Sequence, residues 1–253
     1  RDLAFMNRSH TILQATNAVK YAKEVGFDNL TIDLIYGIPF LTEQEWIRNI
    51  KKALALDVNH ISAYCLTSEE RTAMHFDISK GKYELPSEEV TSKQFEILVQ
   101  MLTDNGYEHY EISNFSKKGH HSNHNSSYWK QTHFLGVGPS AHSFNGKTRR
   151  WNVANNARYI KGASENNWIA EEEELDEKTR YNEYVMTSLR TSWGIDLGYI
   201  KNTFEPKFAI HFVKESKRFI LDNSLVQAGN NYTLSQSGKL LADRISSELF
   251  WVD

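Results

Sequence analysis

The stretch Leu30-Thr31-Ile32-Asp33-Leu34-Ile35-Tyr36 is apolar enough for a strand covered on both faces, and Gly37 and Pro39 break it at once. On either side the apolar period becomes helical. Ser9 can cap a helix whose positions Ile12, Ala15, Val19 and Ala22 recur at three- and four-residue steps, with Gly26 as its stop. Thr42 and Glu45 form a T-x-x-E capping box ahead of Trp46, Ile50, Ala53 and Leu54. A second strand, Ile61 to Leu66, follows. Pro86 and Ser87 then open a helix carrying Val90, Phe95, Leu98 and Leu102, which Gly106 stops before Tyr107 to Phe115 returns as a strand. Helices of this length between buried strands predict an α/β fold with a parallel sheet.

From Ser116 to His133 the periodicity disappears, which predicts a long loop, and its aromatic content favours a functional one. Glu171 to Glu174 read as a solvated acidic linker with a domain boundary nearby. Beyond it, helical stretches near 179–191, 196–204 and 207–223 lead to Leu225-Val226-Gln227-Ala228. A Gly229-Asn230-Asn231 turn, Tyr232-Thr233-Leu234 and a final helix from Ser235 complete the order, which suggests a winged-helix-like module. The expected division is 1–115, 116–170 and 171–253.

Composition narrows the function. The 253 residues are 40% hydrophobic and 24% charged, and no apolar run approaches the roughly 20 residues that cross a bilayer. The polar stretch Arg1 to His10 has no signal-peptide pattern, so a soluble, cytoplasmic protein is expected. One cysteine, Cys65, makes no internal disulfide and cannot alone hold zinc or an iron-sulfur cluster through thiolates. Net charge is −3, and residues 171–253 carry 10 Lys and Arg against 14 Asp and Glu, a net of −4. A phosphate-tracking surface needs the opposite sign, so no nucleic-acid partner is expected.

Several residues carry candidate chemistry. Asp33 lies near the carboxyl end of an apolar strand, where ligands of parallel α/β folds collect, and a hydroxyl-rich ligand or a structural hydrogen bond would each account for it. Arg8 can hold a carboxylate or phosphate through a bidentate fork, or can be an ordinary surface arginine. Glu111 and Asn114, at a strand end, can face a pocket or edge a sheet. The run His124-Asn125-Ser126-Ser127-Tyr128-Trp129 has three readings. His120, His121 and His124 could ligate zinc, though their spacing matches no standard metal motif. His124 and Asn125 could tie down a loop. His124 could ligate haem iron, with the porphyrin against Tyr128, Trp129 or Phe134. Gly136-Val137-Gly138 is too short for a phosphate loop and reads as a tight turn.

Taken together, Asn7-Arg8-Ser9-His10, Asp33 to Pro39, Tyr110 to Phe115, His124-Asn125-x-x-Tyr128-Trp129 and Gly136 to Ser143 resemble the radical S-adenosylmethionine (radical SAM) family of oxygen-independent coproporphyrinogen III oxidases. The hexapeptide is similar to its haem chaperone branch. The resemblance spans nearly the whole chain and implies the later part of an incomplete (β/α) barrel followed by the winged-helix-like domain. It implies S-adenosylmethionine binding, with Arg8 on the methionyl carboxylate, Asp33 on the ribose hydroxyls and Ile35 lining the same cofactor. The family's C-x-x-x-C-x-x-C loop, which holds a 4Fe-4S cluster, has no counterpart here, so radical chemistry is not expected of this chain alone. Phe40-Leu41 stands where the family usually has Gly-Gln. The resemblance further implies haem binding through His124 and transfer to haem-accepting proteins, with membrane association of the full-length protein. The alternative it implies is oxidative decarboxylation of coproporphyrinogen III to protoporphyrinogen IX.

Overall fold

The computed structural model describes residues 1–252, which form two compact units, one ending at Ser122 and the other starting at Asn123. In the first, a short α1 (Asp2–Phe5) precedes α2 (Ile12–Glu24), capped by Thr11 in a reciprocal box with Gln14 rather than by Ser9. Strand β1 (Thr31–Tyr36) leads through Gly37 and Pro39 into α3 (Glu43–Ala55), where Thr42 and Glu45 make the expected capping box. Next come β2 (His60–Cys65), α4 (Ala73–Ser79) and α5 (Glu88–Asp104), the last capped by Ser87. β3 (Tyr107–Glu111) and β4 (Asn114–Lys117) close the unit.

The sheet order is β1-β2-β4-β3. β1 and β2 run parallel, as their helical crossover requires, whereas β4 is antiparallel to both β2 and β3. The single strand expected over Tyr107–Phe115 is thus a hairpin turning at Ile112 and Ser113, with a register shift between His109 and Glu111. Its connection is too short for a crossover, so the sheet is mixed rather than parallel throughout. β1 is also not covered on both faces. Tyr36 is buried, while Thr31 and Asp33 are exposed and β1 is an edge strand. Along α2, Val19 packs on the core, but Ile12, Leu13 and Tyr21 remain exposed.

The core of this unit sits between the sheet and helices α3 and α5, around Trp46, Ile50, Ile61, Leu98, Leu102 and Phe115. One polar group is set among them. Gln94, 2% exposed, accepts from the Gly37 amide at 2.8 Å and donates to the Leu41 carbonyl at 3.1 Å, and its own carbonyl accepts from Trp46 Nε1 at 2.8 Å. The turn it holds needs glycine: Gly37 has φ +72°, and a Cβ there would lie 2.8 Å from Cys65 Sγ.

The second unit begins with α6 (Asn123–Trp129), a short helix inside the segment expected to be a loop. A three-stranded sheet follows, β5 (His142–Phe144), β6 (Thr148–Asn152) and, after α7 (Asn156–Ser164), β7 (Ala170–Glu174). The acidic run is therefore an edge strand and not a linker. Glu173 and Glu172 lie opposite Arg149 and Arg150, and Glu171 opposite Trp151, so cross-strand partners stabilise a segment of low intrinsic β propensity. Helix α8 (Glu177–Leu189), capped by Asp176, leads to the terminal module. Its elements are β8 (Ile195–Asp196), α9 (Leu197–Thr203), α10 (Pro206–Leu221), β9 (Leu225–Ala228), β10 (Asn231–Leu234), α11 (Gln236–Lys239) and α12 (Ala242–Leu249). Sheet order β8-β10-β9 with its hairpin wing is the winged-helix-like arrangement expected, packed on Tyr181, Phe208, Phe212 and Ile245.

Replacing Gln94 by Leu leaves the Gly37 amide and Leu41 carbonyl without their partner. Chemical denaturation is expected to show a loss of about 2 kcal/mol. A loss within error would mean that these bonds do not hold the turn.

Candidate functional site

In the first unit, the sheet carries two polar rungs. Asp33 pairs in register with Ser62, Ser62 with Asn114, and Asn114 with Glu111. Ser62 Oγ donates to Asn114 Oδ1 at 3.0 Å, and the Ser113 amide donates to Glu111 Oε2 at 2.9 Å. Asn114 Nδ2 also donates to Glu111, which places both side chains, named from sequence as pocket or edge residues, in a buried network. The second rung runs Thr31, His60, Ser116 and Glu108. His60, 2% exposed, meets Tyr110 Oη through Nε2 at 2.6 Å, and its Nδ1 has no partner among the described residues. His121 stacks on Tyr110 with centroids 4.2 Å apart and reaches Glu108 Oε2 at 3.0 Å. Burial pushes His60 down to about 4, against the opposing pull of Asp33 and with added repulsion from His121.

Asp33 is exposed, not buried as its apolar strand suggests, because nothing among the described residues packs over that part of β1. Its side chain has no hydrogen bond or ion pair among the described residues, and neither does that of exposed Arg8, which follows Asn7 in a left-handed turn after α1. Ile35 is half-buried and packs against the core cluster. The structure thus sets all three on one unit without bonding Arg8 to Asp33.

The second unit contains a cavity of about 1,100 Å³, above the usual small-ligand range. Helix α6 supplies His124, Asn125, Tyr128 and Trp129, the segment after it Phe134, Leu135 and Val137, β5 His142 and Phe144, β6 Arg149, and α8 Glu183, Met186 and Thr187. The aromatic wall is continuous. His124 and Tyr128, one helical turn apart, meet edge-on at 5.1 Å, Tyr128 meets Phe134 at 5.1 Å, and Phe134 meets Phe144 at 6.1 Å. Arg149, the cavity's basic group, already donates to Glu183 Oε1 at 2.6 Å and Glu173 Oε1 at 3.3 Å.

The glycine-containing rim is built from main chain. The Phe134 and Phe144 amides donate to each other's carbonyls at 2.9 Å, Gly136 N donates to Ser143 Oγ at 3.0 Å, and Asn152 Nδ2 donates to the carbonyls of Gly136 and Gly138 at 3.2 and 3.0 Å. A Cβ on Gly136 would fall 2.1 Å from the His142 carbonyl oxygen. Gly136 is therefore needed for close approach, beyond the tight turn read from sequence. Sequence reasoning missed Glu183, Met186 and Thr187, whose spacing puts them on one face of α8, and it missed His60.

Residues 175–241 match the family model for the HemN C-terminal domain. The chain is 34% identical over 209 residues to heme chaperone HemW of Lactococcus lactis, covering 83% of this chain and 54% of that protein. It is 31% identical over 204 residues to heme chaperone HemW of Bacillus subtilis, covering 80% and 53%. The chain belongs to the HemN-like radical SAM family. Within it, the chain falls on the haem chaperone branch. Among solved structures, the coproporphyrinogen III oxidase HemN from Escherichia coli, a radical SAM enzyme, aligns with a TM-score of 0.75 at 19% identity over 98% of this chain and 61% of that one. That likeness gives the fold: a (β/α) barrel segment followed by the winged-helix-like HemN C-terminal domain. The chain spans about half the length of the curated HemW relatives it matches. No helix among the described residues is long and apolar enough to cross a membrane.

Folding favours neutral His60, so its contribution is complete above the ordinary histidine range and falls as pH drops toward 4. Between pH 7 and pH 5 the protein is expected to lose about 2 kcal/mol from this group, a loss missing from His60→Gln; parallel denaturation profiles for the two proteins would refute it. Gly136→Ala is expected to cost about 2 kcal/mol or more in thermal or chemical unfolding, whereas Val137→Ala, at a side chain 80% exposed, stays within about 0.5 kcal/mol.

Proposed function

We propose that this chain is the haem-holding part of a haem chaperone, which binds haem for transfer to acceptor proteins. The observation that carries the reading is the cavity of the second unit, where an exposed imidazole, His124, stands at the end of a wall of aromatic rings. The donor set suits haem: neutral imidazole for the iron, and Tyr128, Trp129, Phe134 and Phe144 for the apolar porphyrin faces. When bound, haem supplies an iron centre that accepts a nitrogen ligand. His124 would provide that nitrogen, and the aromatic side chains would exclude water from the macrocycle. Exposure of His124 favours release as well as capture, as transfer to a second protein demands. The relatives bearing the name heme chaperone HemW support this reading.

In the whole protein, Arg8, Asp33 and Ile35 would bind S-adenosylmethionine. Their support is chemical: an unpaired guanidinium suits a carboxylate and an unpaired carboxylate suits vicinal hydroxyls. The 4Fe-4S cluster that accompanies this cofactor in the family does not fit the residues present, since Cys65 is the sole cysteine. A cytoplasmic protein that delivers haem to acceptors, including acceptors at a membrane, completes the proposal. Coproporphyrinogen III decarboxylation is the second reading, favoured by the likeness to the E. coli oxidase fold. The His124-Asn125-x-x-Tyr128-Trp129 run at the cavity weighs toward the chaperone.

Haem titration followed at the Soret band tests the proposal. Saturable one-to-one binding is expected, weakened by roughly tenfold, about 1.4 kcal/mol, in His124→Ala. An unchanged spectrum and affinity in that variant would refute the ligand assignment.

A further inference from the structure

We propose that Glu183, paired with Arg149, makes this cavity selective for porphyrins whose acid groups lie along one edge, as in haem, over porphyrins with an acid group on every pyrrole ring, as in iron coproporphyrin III. The proposal rests on the haem reading of this cavity and narrows the class of ligand it takes.

The charges in the wall carry the argument. Arg149 is the sole lysine or arginine among the described residues that line the cavity. It stands directly across the β5 and β6 pairing from Phe144, so its side chain leaves the sheet on the face where Phe144 continues the ring wall from Tyr128 and Phe134. Two carboxylates already hold it there, Glu183 at 2.6 Å and Glu173 at 3.3 Å. One guanidinium between two carboxylates leaves the cluster with an excess of negative charge. Glu183 is itself a lining residue, and with its side chain 20% exposed it is less screened by water and salt than Glu173 at 47%. A ligand carboxylate brought to this part of the wall would lose water, face Glu183 and find the guanidinium engaged.

Haem avoids that encounter. Its two propionates are on adjacent pyrrole rings, so the rest of the macrocycle can lie against Tyr128, Phe134 and Phe144 while the acid edge stays in water. The cavity is open enough for this, since Leu135, Val137 and Tyr128 line it and are 82%, 80% and 47% exposed. Coproporphyrin III has a propionate on each of its four rings. Whichever edge leads, carboxylates enter the ring-lined part of the cavity beside Glu183.

Equilibrium titration with haem and with iron coproporphyrin III, and with the methyl ester of each, tests the proposal in wild type, Glu183→Gln and Glu172→Gln. Glutamine keeps the size of Glu183 and can still accept from Arg149. Glu172, opposite Arg150 on the other face of the sheet, is not a lining residue and controls for net charge. Circular dichroism confirms folding of each. Wild type is expected to bind haem about tenfold or more tightly than iron coproporphyrin III, a preference reduced about threefold in Glu183→Gln, kept in Glu172→Gln and lost between the esters. Equal or tighter binding of iron coproporphyrin III by wild type overturns the proposal and leaves the haem reading standing. A preference that persists between the esters, or that Glu183→Gln leaves unchanged, does the same, because size or another group then sets it. No saturable haem binding by wild type overturns the haem reading, and this proposal with it.

Discussion

Gln94 is the constraint on which the first unit depends. It sits on α5, yet its amide and carbonyl groups meet the turn after β1, the segment entering α3, and the indole of Trp46 on α3. Each partner is a polar group in an otherwise apolar core, where an unmade bond costs more than a made one gains. Hydrophobic burial gathers α3 and α5 over the sheet without fixing their register. The amide supplies that register, and with it the path of the chain from Tyr36 to Leu41. Gly37 completes the arrangement by letting the turn lie against Cys65.

In the second unit, α8 has the corresponding part. One face, Tyr181, Val185, Ser188 and Leu189, is buried, with Tyr181 against Phe204 and Phe208. Another face gives Glu183, Met186 and Thr187 to the cavity. The cavity wall is therefore continuous with the core of the winged-helix-like module. The ion pair of Glu183 with Arg149 then fastens α8 to β6 on the cavity side.

Where local chemistry decides structure, the sequence was legible. The Thr42–Glu45 box, Ser87, the apolar positions of α3 and α5 and the Gly229-Asn230 turn all stand as their residue types require. Non-local effects were not legible. Residues Glu171 to Glu174 read as solvated until Arg149 and Arg150 are placed opposite them, and Tyr107 to Phe115 reads as one strand until Ile112 and Ser113 turn. Asp33 looked buried by virtue of its neighbours in sequence, but a strand at a sheet edge keeps one side open. At the cavity, the aromatic and histidine residues stood out individually, while the α8 face did not, because its pattern becomes informative once α6 and β5 are known to lie beside it.

The main-chain construction of the 134–138 segment has a consequence for how such a cavity can diversify. Its path is set by backbone bonds between Phe134 and Phe144, by Asn152 on two carbonyls, and by the absence of a side chain at Gly136. Leu135 and Val137 bear none of that burden, and their side chains are largely in solvent. The lip of the cavity can thus accept new side chains without being rebuilt, so its selectivity and its stability are separable properties.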